Sequence, residues 1–130
     1  MNVAALASAP AIMLVHAASA SLSLATGTLV LICAKGTPPH VLLGRSFVAA
    51  MIVTALTSFA IASVWPGHFS PIHILSVVTL TTLPLAIWQR RRGNIAAHAR
   101  TMALNYTGLV VAGALSFVPP RLLGIVVFGA

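Results

Sequence analysis

Four long apolar stretches, at about residues 11–34, 41–64, 71–88 and 98–118, take up most of the chain and are separated by short polar breaks. Each is close to or above the ~20 residues that a helix needs to cross the hydrocarbon of a bilayer. Breaks this short join neighbouring antiparallel helices. The pattern therefore predicts an all-α, up-down-up-down four-helix membrane bundle, with residues 1–130 as one transmembrane domain. The punctuation agrees. Gly36-Thr37-Pro38-Pro39 makes a short rigid turn after which His40 opens the second helix. In the next turn Trp65 is an interfacial anchor, Ser70 a helix cap and Pro71 a first helical position. Pro84 is expected to kink the third helix, and Pro119-Pro120 to end the fourth. The tail, residues 122–130, is too short to cross again and is expected along the interface or against a partner.

Composition strengthens the membrane reading. The chain is 59% hydrophobic and 5% charged, against roughly 25% charged for a soluble domain. It has no Asp or Glu, so its seven Lys and Arg residues give a net charge of +7. That sum does not read as a nucleic-acid surface, because the cations cluster at the ends of apolar stretches. Lys35 and Arg45 flank the first connection, and Arg90, Arg91, Arg92 and Arg100 fill the third, while the second has none. The positive-inside rule puts both basic connections in the cytoplasm and both termini outside, with Arg121 the one dissenter. The beginning of the chain lacks the basic region of a cleaved signal peptide. One cysteine, Cys33, makes no internal disulfide or cysteine metal motif and is expected to pack as a small apolar residue.

The chemistry worth following is histidine, one per apolar stretch: His16, His40, His73 and His98. An ionisable residue in or at the rim of a span is a functional hypothesis by default. His73 lies 17 residues before Arg90 and His16 lies 19 before Lys35, ~25 and ~28 Å of helix, so both sit near the outer face. His40 and His98 sit at the cytoplasmic rim. Helices one and three are diagonal in such a bundle, as are two and four, giving one histidine pair per leaflet. Two facing imidazoles suit bis-His ligation of haem iron, which closes the coordination sphere and favours electron transfer over oxygen binding. Arg45 and Arg100 lie close enough to the inner histidines to meet haem propionates.

Blander roles stand beside these. His40 and His98 are placed where an interfacial side chain snorkels to headgroups, and His68, in the outer turn, is expected to be solvated. Met102 is more simply a packing residue than a ligand, and Arg90-Arg91-Arg92 a topology signal touching anionic lipid. His16, Ala20, Ser23 and Gly27 form a stripe of small residues that serves close helix packing or a flat cofactor. Two imidazoles with no Cys or carboxylate leave zinc or copper short of ligands. Proton relays usually draw on Asp or Glu, and hydrolases need an acid to orient histidine; both classes are disfavoured here.

The residues Lys35-Gly36-Thr37, His40, Gly44-Arg45, Ile72-His73-Ile74-Leu75-Ser76, Arg91-Arg92-Gly93, His98, Met102, Tyr106 and Pro120-Arg121 occur in an order that resembles a family of small bacterial membrane proteins of unknown function. The resemblance covers about residues 35–123 and implies a four-helix protein of the bacterial inner membrane, with no activity attached. The pairing of His16 with His73 and His40 with His98 also resembles the two-haem transmembrane b-type cytochromes. That resemblance implies one or two b-type haems held by these four histidines. The expectation is a haem-binding electron-transfer protein, alone or in a redox complex. The alternative is a non-catalytic accessory or assembly protein whose His and Arg residues contact a partner or lipid. Homo-oligomer and complex subunit are both left open by the sequence.

Overall fold

The structure is a computed structural model that describes residues 7, 9–64, 72–117 and 127–128. Four helices span most of them: α1, Ala11–Ile32; α2, Pro38–Val64; α3, Ile72–Arg91; and α4, Ile95–Ser116. No strand occurs among the described residues. Trp65, His68, Ser70, Pro71, Pro119, Pro120, Arg121 and most of the tail lie outside them, and so do the expectations attached to those positions.

Both described connections differ slightly from expectation, for identifiable reasons. Pro38 and Pro39 belong to the first turn of α2 instead of the loop, so His40 sits within that turn. Proline is suited to this position, since its missing N–H would have no helical partner there. The Thr37 carbonyl starts the helix by accepting from Val41 N at 3.0 Å. At the end of α1, Lys35 Nζ donates to the carbonyls of Val30 and Leu31 at 2.8 and 2.7 Å, closing a helix terminus.

The second hairpin is tighter. α3 continues through Arg90 and Arg91, whose charges suit the negative end of the helix. Gly93 then adopts φ +75, Asn94 N bonds Gln89 O, and Gly93 N bonds Arg90 O, both at 3.0 Å. This pair of bonds is a Schellman stop. Asn94 next caps α4, its side chain accepting from Ala97 N at 3.1 Å. Helix α3 runs as one element through Pro84.

Packing is closest within the hairpins α1–α2 and α3–α4; α2–α3 and a lighter α1–α4 contact join them. Each helix thus has two neighbours, and the diagonal combinations barely meet. The central cluster is Phe47 and Met51 of α2, Leu83 of α3 and Leu109 of α4, with Ala20, Met102 and Tyr106 against it. Gly27 is where α1 approaches most closely. A Cβ there would lie 2.7 Å from the Tyr106 ring and 2.9 Å from that of Phe47.

The distribution of polarity is inverted relative to a protein in water. Ser23, Thr26, Ser58, His73, Ser76, Thr79, Thr101 and Asn105 are buried. Large apolar side chains face outward along every helix, Ile32 at 76% and Leu104 at 72% exposure among them. Water would penalise so much contiguous apolar surface, whereas lipid would not. Two segments, Ala11–Ile32 and Pro38–Ile61, are long and apolar enough to cross a membrane. The other two helices have 20 and 22 residues but carry more polar groups, including Gln89, Arg90, His98, Arg100 and Asn105.

Candidate functional site

Polar side chains tie the helices together. Within the first hairpin Thr54 Oγ1 donates to Ser19 Oγ at 2.9 Å, and His16 Nδ1 lies 2.9 Å from Thr57 Oγ1. Thr57 spends its one proton on the carbonyls of Val53 and Thr54, at 2.8 and 3.0 Å. Engaged in this way, the hydroxyl oxygen offers His16 an acceptor, an arrangement that suits a proton on Nδ1 and the lone pair on Nε2.

In the second hairpin His98 Nδ1 is 2.8 Å from the carbonyl oxygen of Ala86, a pure acceptor, so His98 donates from Nδ1, which leaves Nε2 as the lone-pair nitrogen of the neutral ring. Thr101 donates to Gln89 Oε1 at 2.9 Å one turn away, and Asn105 Nδ2 donates to Thr82 Oγ1 at 2.9 Å. Tying Nδ1 to a fixed acceptor is how proteins commonly set the tautomer of a metal-binding histidine.

The other two histidines differ. His73 is 6% exposed on α3, its ring centroid 6.1 Å from that of Phe59 on α2. Ser76, one turn along, meets Ser58 across the α2–α3 interface at 2.6 Å. His40 is half-buried, and its Nδ1 is buried with no hydrogen-bond partner. A buried orphan of that kind costs free energy unless something occupies it.

The structure thus places the histidines individually. His16 reaches sideways to α2, His73 packs beside α2, and His98 reaches back to α3. No cluster of three or more His, Cys, Asp or Glu gathers among the described residues. Each of the four stands in the first two turns of its helix: His16 is the sixth residue, His40 the third, His73 the second and His98 the fourth.

The small-residue stripe at Gly27 serves close packing, because the Tyr106 and Phe47 rings occupy the space over it. Tyr106 is fixed there by the hydrogen bond between its hydroxyl and Thr28 Oγ1 at 2.8 Å, and Thr28 Oγ1 also bonds Leu24 O. Arg45 and Arg100 are exposed on α2 and α4. Arg92 lies over the Trp88 ring, 4.6 Å from its centroid. Cavities of about 370 and 230 Å³ open between α1 and α2 and between α3 and α4, and no histidine lines either.

Asn94, Gln89 and Thr57 were not singled out in the sequence. Asn94 had a readable signal, an Asn after Gly at a helix start. Thr57 had none, being one hydroxyl among many, 41 residues from the histidine it orients.

An all-α chain with an apolar exterior and hydroxyl-lined interfaces is a helical membrane protein. It belongs to a family described as predicted membrane protein (DUF2306), whose model matches residues 13–129. The match is to this family, of unknown function, and not to the two-haem cytochromes. No curated protein and no solved structure matches the chain.

Proposed function

We propose that this chain is a four-span protein of the bacterial inner membrane, with both termini outside, that binds b-type haem through its histidines and carries electrons. The observation that carries the reading is the hydrogen bonding at Nδ1. His98 has Nδ1–H tied to the Ala86 carbonyl, and His16 Nδ1 faces the Thr57 hydroxyl, one histidine at each level with Nε2 left for the lone pair that iron requires. The buried, unpartnered Nδ1 of His40 adds a second donor at the inner level, and buried His73 a second histidine at the outer. The filled core between the levels fits two separate sites better than one central site. Bound haem would supply one-electron chemistry, and two axial imidazoles would leave it no open position. Alternation of the spans is supported by three contacts: His16 early in α1 meets Thr57 late in α2, Ser58 late in α2 meets Ser76 near the start of α3, and His98 near the start of α4 meets Ala86 late in α3.

The same bonds favour a second reading. His16 and His98 each bridge the two helices of one hairpin, and interhelical polar bonds are a common way to hold membrane helices together. On that reading the chain is a non-catalytic accessory protein.

An absorption spectrum separates the two. Protein purified in detergent from haem-replete cells is recorded oxidised and dithionite-reduced, with a pyridine haemochrome count. Sharp reduced α and Soret bands are expected, falling by the share of one haem in His16→Ala and by the other share in His98→Ala. His68→Ala is expected to leave the spectrum intact. A colourless protein would leave the accessory reading standing alone.

A further inference from the structure

We propose that Arg45 and Arg100 form an anionic-lipid contact surface, binding the phosphate headgroups of the leaflet at the end of the bundle where α2 and α4 begin. The case starts from an imbalance of charge. The chain holds seven Lys and Arg residues and no Asp or Glu, so no cation has a side-chain counter-ion anywhere in it. Two of the cations near the described turns are engaged by other means: Lys35 closes α1 through Val30 and Leu31, and Arg92 stacks on Trp88.

Arg45 and Arg100 are different from both. They stand inside helices, the eighth residue of α2 and the sixth of α4, and their side chains are exposed. At 1.5 Å per residue they lie ~10 and ~8 Å along the axis from their helix starts, within reach of headgroups by snorkelling. Around them the surface is apolar: Leu42 on α2 is 67% exposed and Leu104 on α4 is 72% exposed. An arginine on a lipid-facing helix surface with no carboxylate in the chain takes its counter-ion from outside. The phosphodiester supplies two oxygens in the geometry that the guanidinium fork matches. Arg90 and Arg91, exposed at the end of α3, extend the same positive field.

This proposal rests on the reading of α2 and α4 as membrane spans, and it moves the two arginines from haem propionates to lipid. The test uses the full chain in nanodiscs of phosphatidylcholine alone or mixed with phosphatidylglycerol. Retained lipid is counted by mass spectrometry, and haem absorbance is read on the same samples. The wild type is expected to enrich phosphatidylglycerol and to lose the enrichment at high salt. Each arginine near an anionic surface contributes about five-fold to partitioning, so R45Q/R100Q is expected to weaken the preference by an order of magnitude or more. R45K/R100K, which keeps the charge and guards against a folding artefact, is expected to retain most of it. K35Q is expected to lower thermal stability equally in both lipids.

Equal retention of the two lipids by the wild type overturns the proposal. So does an unchanged preference in R45Q/R100Q. Loss of haem absorbance in that variant with the lipid preference intact would return the arginines to the propionates. Inorganic phosphate added to the mixed discs at matched ionic strength is expected not to displace the retained phosphatidylglycerol; if it does, the ligand is free phosphate and not a lipid surface. A colourless wild type that still enriches phosphatidylglycerol would sink the haem reading and leave this one intact.

Discussion

At the scale of single residues, hydrogen-bond arithmetic says more than proximity. The Ala86 carbonyl can only accept, and that assigns a proton to His98 Nδ1, while the Thr57 hydroxyl, bonded to Val53 O, offers His16 an acceptor. Gly27 is decided by space. Its missing Cβ would stand 2.7 Å from Tyr106, so Gly27→Ala must displace a ring held by its own hydroxyl bond. Overpacking of this kind costs about 1–3 kcal/mol. Gly44 and Gly113 have nothing within 4 Å of the same ideal position. Alanine there is expected to be neutral or to stabilise by about 0.4–1 kcal/mol, since it restricts the unfolded chain. Reversible unfolding in mixed micelles checks the contrast. Equal effects at the three glycines would mean that α1 does not approach α4 through Gly27. The histidines and the small-residue stripe were visible in the sequence. What fills the stripe was not, because two rings from other helices had to be placed first.

Between elements, hydroxyls and amides do the work that apolar burial does in water. Asn105, 5% exposed, donates to Thr82 on α3 and to Thr101 O on its own helix. Bonds between membrane helices average about 0.6 kcal/mol and reach about 1.7. Asn105→Ala is expected to destabilise the α3–α4 hairpin within that range. Thr82→Val in the Asn105→Ala background is expected to cost little more, because the two residues share one interaction. Unfolding of the four proteins of this double-mutant cycle gives the coupling directly; additive costs would show that the pair does not interact. Gly93 is the other fixed point, where φ +75 serves the stop of α3. Gly93→Ala strains that conformation and is expected to cost about 1 kcal/mol by the same assay. Helix positions were legible because apolar runs and Pro/Gly breaks are local signals. The rotation of each helix was not legible. Residues on all sides are apolar, so the face each histidine presents is set by packing partners far along the chain.

Across the whole molecule, the cations gather toward one end of the bundle. Lys35 follows α1, Arg90 and Arg91 end α3 and Arg92 follows it, and the antiparallel contacts His16–Thr57, Ser58–Ser76 and His98–Ala86 support placing these helix ends together. The positive-inside rule then predicts that this end faces the cytoplasm. The chain carries its own probe of that claim. Cys33, its one cysteine, is half-buried immediately after α1 and two residues before Lys35. A membrane-impermeant maleimide is expected to leave Cys33 unmodified in intact spheroplasts and to label it once the membrane is permeabilised. Labelling of intact spheroplasts would put the Arg-rich turn outside. It would exchange the inner and outer histidine levels and move the proposed headgroup contact to the other leaflet. The hydrogen bonds of His16 and His98 would survive that reversal, because Thr57 and Ala86 make them from within the bundle whichever way it stands in the bilayer.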